Sequence, residues 1–205
     1  MILFFDTETT GIPNYRAALT DECQPHLVQI AALLMEDDGT ERAAINLIVN
    51  PQVPIPAQAS AVHGITNEIA DRAGVFTTTA VAMWDRMAER ADLIVAHNLP
   101  FDLFLMQTAW ARGKSTRTFD QAHGRREQFC TMKSAAPVVK MPPTERMLAA
   151  GFTHAKPPKL EECIHHFFGE KLEGAHDALI DVRACARVFF HLRQIDARTS
   201  EANAA

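Results

Sequence analysis

The stretch Ile2-Leu-Phe-Phe-Asp6-Thr-Glu8-Thr-Thr-Gly11 decides the fold of this chain. Residues 2–5 are apolar strand formers, and the run ends on two carboxylates just before a turn at Thr10-Gly11-Ile-Pro13. Asp6 and Glu8 are two residues apart, so on an extended chain they project from the same face, about 6.6 Å apart along the strand. Like charges in this arrangement repel each other unless a cation lies between them. The alternative interpretation is a polar strand end that leads into a turn.

Two further carboxylates stand in apolar stretches later in the chain. Asp102 follows Pro100, and a helix beginning there places apolar side chains three and four positions after Asp102. Asp181 borders the apolar face of a helix predicted over 177–194, and His176 directly precedes that helix. A buried carboxylate is costly unless it is paired or binds a metal, and a histidine accepts a proton near neutral pH. The competing interpretations are an Asp that complements a helix dipole and a solvent-facing loop histidine.

Taken together, these residues predict a two-metal site for phosphoryl transfer. Oxygen ligands favour Mg²⁺ or Mn²⁺ over zinc, so we expect two divalent cations of this kind. Two such ions about 3.5–4 Å apart stabilise both the attacking and the leaving oxygen of an in-line displacement. The candidate ligands are Asp6, Glu8, Asp102 and Asp181.

Composition bounds the class of protein. The 205 residues are 47% apolar and 22% charged, as in an ordinary globular chain, and we expect a single domain over 1–198 with a flexible C-terminal tail over 199–205. The most apolar stretch, 93–111, contains Pro100 and Asp102, which argues against a membrane span and a membrane partner. Four widely spaced cysteines without a CxxC pair indicate reduced thiols, and hence a cytoplasmic location.

The order of the predicted elements favours an α/β fold, with an antiparallel meander first and mixed strands and helices after it. We expect the segment 114–158 to form loops with one or two short helices. The predicted strands are 2–5, 27–35, 44–49 and 93–96, and the predicted helices are 66–73, 77–90, 100–112, 160–168 and 177–194.

Three segments, in order, resemble the motifs of the DnaQ-like 3′–5′ exonucleases. Phe4-Phe-Asp6-Thr-Glu8-Thr-Thr-Gly11 is similar to their first motif and His97-Asn-Leu-Pro-Phe-Asp102 to their second. His176-Asp-Ala-Leu-Ile-Asp181 is similar to the third, with the His-x4-Asp spacing of the DEDDh branch. Val62-His63-Gly-Ile-Thr66 matches a segment common between the first two. The resemblance covers residues 2–193 and extends to phage-type, exodeoxyribonuclease X-like and DNA polymerase III epsilon-like members.

The resemblance implies a ribonuclease H-like fold, with a mixed five-stranded sheet flanked by helices. It implies that His176 acts as general base and that the four carboxylates hold the metals, so that the catalytic set is Asp6, Glu8, Asp102, His176 and Asp181. It also implies that four residues lie near the 3′-terminal nucleotide, namely Thr9, Thr10, Gly11 and His63. Gln29 stands where many relatives have Glu, and we interpret it as a tolerated helper position.

The implied activity is hydrolysis of single-stranded DNA 3′ ends to nucleoside 5′-monophosphates, in proofreading, repair or phage DNA metabolism, with a DNA polymerase as a possible partner. An exoribonuclease that trims RNA or short oligoribonucleotides is an alternative, because the same site can cleave either polymer. A catalytically silent scaffold that binds nucleic acid or a polymerase is the second alternative. The complete set of five catalytic residues argues against the scaffold.

The net charge of −5 by itself argues weakly against a nucleic-acid partner. The segment 112–133, however, carries a local net charge of +4, which leaves −9 for the rest of the chain. A basic patch beside an acidic metal site suits a phosphate backbone, and we predict that Arg125 and Arg126 bind substrate. A solvated surface loop is the alternative. Residues 113–158 also look longer than the minimal family core.

Overall fold

Strands from the whole N-terminal two thirds of the chain form one mixed sheet in the computed structural model, which describes residues 1–113 and 116–198 in full and only the backbone of 199–204. The strand order is β4-β3-β2-β1-β5-β6. β1 to β3 are antiparallel neighbours, whereas β5 and β6 run parallel to β1. The strands are β1 Ile2–Thr9, β2 Leu27–Met35, β3 Glu41–Asn50, β4 Val75–Phe76, β5 Leu93–Ala96 and β6 Glu127–Cys130.

Helices cover both faces of the sheet, and the alternation of β1 side chains separates the two layers. Leu3 and Phe5 pack with α3 and α4 in one core, while Ile2 and Phe4 pack with α6, α8 and α9 in another. Asp6 and Glu8 continue the second set, so they face the layer that contains α9. The helices are α1 Ala57–His63, α2 Asn67–Ala73, α3 Thr77–Ala88, α4 Leu99–Arg112, α5 Phe119–His123, α6 Thr131–Val139, α7 Glu145–Ala149, α8 Leu160–Phe168 and α9 Ala178–Ala204.

The short strand β5 opens a gap in the sheet beside the end of β1. Its pairing with β1 joins Ile2 to Leu93 and Phe4 to Val95, and β5 ends at Ala96. Beyond that level, none of the described strands pairs with β1 on this side, and the amide of Thr7 instead donates to Asp102 in the first turn of α4.

The expected α/β, ribonuclease H-like fold is confirmed, with one more strand than the five expected. The extra strand is the two-residue β4, which pairs with Val49 and Asn50 of β3. The expectation for 114–158 was wrong: this segment supplies β6 and the three short helices α5, α6 and α7. β6 escaped prediction because it is a four-residue edge strand whose Glu127 and Gln128 are exposed, so it shows no apolar alternation.

The prediction of a flexible tail over 199–205 falls on residues whose side chains lie outside the described part of the chain, and it stays a prediction. A search of the described helices for a segment that could cross a membrane finds none with sufficient length and apolar character.

Candidate active site

The carboxyl end of β1 gathers the predicted catalytic residues of three chain segments. Asp6 and Glu8 lie on β1, and Asp181 lies in the first turn of α9. Ligand atoms of Glu8, His176 and Asp181 all lie within 4.8 Å of one another. The structure therefore brings together side chains that are about 170 residues apart in sequence.

His176 is held in an unusual backbone conformation just before α9. Its φ of 69° is in the left-handed region, which costs energy for a residue with a side chain and which the surroundings must stabilise. The His176 amide donates a 2.9 Å hydrogen bond to Asp181 Oδ2, so this conformation ties the loop to the carboxylate. Gly174 turns the chain into this loop with φ 75°, and a Cβ there would lie 2.5 Å from Ile180 Cδ1. The imidazole is exposed, in contrast to the neighbouring Asp181.

Asp102 reaches the site through the gap left by β5. It lies in the first turn of α4 and is 2% exposed. Asp102 Oδ1 accepts hydrogen bonds from both the amide of Thr7, at 3.1 Å, and the Thr7 hydroxyl, at 2.8 Å. Thr7 lies between Asp6 and Glu8 in sequence but points to the other face of the strand, toward α4. Sequence reasoning missed Thr7, because a threonine in a strand looks like an ordinary strand former.

The carboxylates resist ionisation because they are buried close together. Burial raises the pKa of Asp6 well above its ordinary value, and the charges of Asp102, Asp181 and Glu8 raise it further. Burial, together with the charges of Asp181, Asp102 and Asp177, raises the pKa of Glu8 to about 8. Burial also raises the pKa of Asp102, against the opposing effect of the Thr7 hydrogen bonds, and raises that of Asp181. A positive charge among these groups would reverse the trend.

The site fits divalent cations on two counts. Asp181 Oδ1 is buried and has no hydrogen-bond partner among the described residues, an arrangement that is costly for a carboxylate oxygen unless it binds something. The donor set consists of carboxylate oxygens with one histidine, which suits Mg²⁺ or Mn²⁺.

Without cations, the protein should lose stability as the pH rises from about 5 to 9. The unfolded chain releases the Glu8 proton near the ordinary pKa of 4.5, whereas the folded chain holds it until about 8. Between these values only the folded state is protonated, so each step upward in pH costs stability. We expect Tm in EDTA to fall by roughly 5–10 °C over this range. Thermal denaturation of the unmodified protein and of Glu8→Gln at pH 5.5, 7 and 8.5 measures this change in Tm. The Tm of the variant should depend less on pH. A Tm of the unmodified protein that rises with pH would contradict the raised pKa of Glu8.

Replacing Thr7 by Val should lower turnover about tenfold while the protein stays folded. The substitution keeps the shape and the amide but removes the hydroxyl that orients Asp102, and outer-shell partners of metal ligands typically contribute 10–100-fold. Steady-state kinetics and thermal denaturation measure the two effects. Thr7→Ser restores the hydroxyl and should recover most of the rate, so an equal loss in both variants would count against this role.

Of the four residues predicted near the terminal nucleotide, three form one turn beside Glu8, namely Thr9, Thr10 and Gly11. Thr9 Oγ1 donates to the carbonyl of Gly11 at 2.6 Å, and Thr10 Oγ1 accepts from the amide of His26 at 2.9 Å, so both hydroxyls hold the turn. Burial lowers the pKa of His63, and the charge of His176 contributes in the same direction, which places the two imidazoles near each other. Thr9, Thr10, Gly11 and His63 therefore lie at the same end of β1 as the carboxylates, and their contact with a nucleotide stays a prediction.

Gln29 connects the sheet to the start of α9. It pairs with Glu8 across β1 and β2, its Oε1 accepts from the amide of Ala178 at 3.3 Å, and its Nε2 donates to Asn46 Oδ1 at 2.9 Å. The sequence identified Gln29 as a helper position, and these contacts give it a specific role, because they fix the helix end that carries Asp181.

The structure places Arg125 and Arg126 away from the carboxylates. They precede β6, whose Glu127 is level with Leu93 and hence with Ile2, so Arg126 lies roughly 16 Å from Asp6 in the direction of the strands. Arg126 Nε donates to the carbonyls of Ala88 and Ala91 and its Nη1 to that of Ala122, so it joins α3 to α5. These positions do not support the predicted substrate contacts. Sequence could not reveal this, because the register of a parallel strand is set by tertiary packing.

A cavity of about 330 Å³ opens beside the carboxylates on the side of His176. One of its walls is the loop 157–159 that leads into α8. His97 holds this loop in place, since its Nε2 lies 3.1 Å from the carbonyl of Pro158 and its Nδ1 lies 2.9 Å from Thr131 Oγ1. Burial lowers the pKa of His97 to about 4, so the imidazole is neutral near pH 7 and its role is to connect Thr131 with the loop at Pro158.

Comparison with known protein families gives a match over most of the chain. The family model described as "RNase_T: Exonuclease" matches residues 3–189, a range that contains every predicted catalytic residue.

Among curated relatives, the chain is 39% identical over 117 residues to a DNA polymerase III subunit epsilon-like protein of Rhodobacter capsulatus, covering 54% of this chain and 15% of that protein. It is 30% identical over 104 residues to the DNA polymerase III subunit epsilon of Pasteurella multocida, and this match covers 51% of this chain and 39% of that protein. The matches thus span at most two fifths of the length of these relatives.

Solved structures share the fold at low sequence identity. The E. coli exonuclease I in complex with a dT13 oligonucleotide superposes with a TM-score of 0.74 at 17% identity, covering 98% of this chain and 42% of that one. Exonuclease X in complex with 5′ overhanging duplex DNA gives a TM-score of 0.56 at 20% identity, and the superposition covers 96% of this chain and 93% of that one.

Proposed function

Because this chain belongs to the RNase_T exonuclease family, we propose that it is a divalent-metal-dependent 3′–5′ exonuclease that shortens single-stranded DNA to nucleoside 5′-monophosphates. The observation that carries the proposal is the meeting of four carboxylates and His176 at the carboxyl end of β1. The DnaQ-like resemblance found in the sequence agrees with the family match.

Asp6, Glu8, Asp102 and Asp181 would hold the metals, with Asp6 central because the charges of the other three all raise its pKa. When bound, divalent cations neutralise charge on the phosphate and on the oxygens that attack and leave it. Thr7 orients Asp102, and Gln29 together with the His176 amide orients the start of α9 and Asp181.

His176 would act as general base. Its exposed imidazole lies beside Glu8 and Asp181 and faces the cavity, where an attacking water can enter. There it accepts the proton that the water loses as its oxygen attacks phosphorus. In an in-line displacement, the leaving 3′-oxygen departs from the side of phosphorus opposite to the attacking water, and therefore away from His176.

DNA is the favoured substrate because the structural neighbours named above were solved with DNA, and the sequence relatives carry the name of a DNA polymerase subunit. We accordingly propose a role in proofreading, repair or phage DNA metabolism, with a DNA polymerase as partner. A cytoplasmic location suits the four cysteines, which are all free.

Digestion of matched 5′-labelled and 3′-labelled single-stranded DNA and RNA, with Mg²⁺, Mn²⁺ or EDTA, tests the function. We expect a ladder of shortened 5′-labelled DNA and early release of labelled mononucleotide from the 3′-labelled strand, both lost in EDTA. A higher rate on RNA would favour the exoribonuclease. Cation-induced stabilisation without cleavage of either polymer would favour the scaffold.

A further inference from the structure

A second groove lies on the Asp102 side of the site, between α4 and the edge of the sheet. It encloses about 530 Å³, and its lining contains apolar and polar side chains of α4, β6 and α6 together with Tyr15. Among the described residues that line it, Lys133 alone is charged and none is acidic. Within the described part of the chain, Lys133 is exposed and takes part in no ion pair. The groove therefore differs sharply in charge from the carboxylate cluster next to it.

The lining of the groove offers the contacts that single-stranded nucleic acid requires. Tyr15 is 58% exposed, and its ring lies 4.8 Å from that of Phe104, an edge contact that steadies the phenol ring while leaving a face open. Gln107 and Gln128 add amides that can donate to or accept from bases and phosphates. An exposed aromatic ring and a cation in the lining of one groove are the combination on which bases stack and phosphates bind.

The groove also adjoins the segment of α4 that carries Asp102. Leu99 and Leu103, which line it, flank Asp102 on α4. Phe104, two residues after Asp102, lines the groove and packs against the Tyr15 ring, so the phenol lies beside the first turns of α4. The leaving 3′-oxygen carries the rest of the strand, so the strand extends away from His176, and this groove offers it a path along α4.

We propose that the groove between α4 and β6 binds the nucleotides on the 5′ side of the scissile phosphate, with a base stacked on Tyr15 and a phosphate bound by Lys133. This inference rests on the proposed function and adds an extended binding site for the uncleaved strand. It predicts that affinity grows with the length of the strand upstream of the terminal nucleotide.

Fluorescence anisotropy in EDTA with 5′-fluorescein-labelled oligo(dT) of two and eight nucleotides tests the proposal. The octamer should bind more tightly than the dimer. Tyr15→Ala should weaken octamer binding roughly tenfold, the loss of one stacked base, with little effect on the dimer. Lys133→Ala should reduce the salt dependence of octamer binding, log Kd against log salt, by about 0.7. Tyr15→Phe keeps the ring and should bind almost normally.

The matched control is the pair Arg72→Ala and Phe76→Ala, an exposed cation and an exposed ring at the opposite edge of the sheet. Equal losses for dimer and octamer, or no loss, would overturn the proposal. Hydrolysis of thymidine 5′-monophosphate p-nitrophenyl ester, which has no upstream nucleotides, should be unchanged in the Tyr15 and Lys133 variants. If the unmodified protein fails to hydrolyse this ester with Mg²⁺ or Mn²⁺, the proposed function fails, whereas the length dependence still decides whether the groove binds DNA.

Discussion

The Asp6→Asn variant should stay folded and lose at least about a thousandfold in the rate of 3′-end release. Asp6 is the carboxylate on which the charges of Asp102, Asp181 and Glu8 all converge, so it is the ligand whose loss disturbs the most of the site. An amide of the same shape cannot supply the negative charge that two cations need. The rate is measured on a 5′-labelled oligonucleotide with saturating Mg²⁺ or Mn²⁺.

Measurements of Tm show whether Asp6→Asn has lost cation binding or has lost its fold. Since Asn removes one of four crowded acidic groups, the cation-free variant should melt at or above the temperature of the unmodified protein at pH 8, and the upward shift of Tm with added cation should largely disappear. Asp120→Asn, an exposed carboxylate in the first turn of α5, is the control and should change neither quantity. A rate within tenfold of normal in Asp6→Asn would refute the assignment of Asp6 as a metal ligand.

The substitution His176→Asn should reduce turnover by about 10²–10⁴-fold, which is the usual contribution of a general base. Asparagine is preferable to alanine because it tolerates the left-handed backbone, φ 69°, better. The hydrogen bond to Asp181 comes from the backbone amide and survives the change. The cation-induced rise in Tm should therefore persist, and single-turnover cleavage rates measure the loss.

Because the imidazole lies within 4.8 Å of Glu8 and Asp181 ligand atoms, it could instead bind a cation. Loss of the cation-induced shift in Tm along with the rate would identify His176 as a ligand and remove it as the base. His165→Asn, on the exposed side of α8, controls for the loss of an imidazole and should keep full activity.

The parts of the site that follow from local periodicity could be predicted from the sequence. Alternation along β1 placed Asp6 and Glu8 on one face, and the apolar surroundings of Asp102 and Asp181 marked them as unusual. Thr7 could not be identified, because its role depends on where β5 ends, a property of strands 90 residues apart. The charge of Arg126 suggested a substrate contact, whereas the parallel register of β6 places it at the opposite end of the sheet, among the carbonyls of α3.

β1 contributes side chains to both cores, and this arrangement makes the activity sensitive to mutations in either of them. Asp102 is carried by a helix packed in one core, and Asp181 by a helix packed in the other. The candidate active site therefore lies between the two cores, and β1 aligns the residues that come from one core with those that come from the other. A small change of volume in either core would shift one side relative to the other by fractions of an ångström, a displacement that barely affects folding but misaligns the ligands. Selection on activity therefore reaches deep into both interiors, well beyond the residues that form the candidate site.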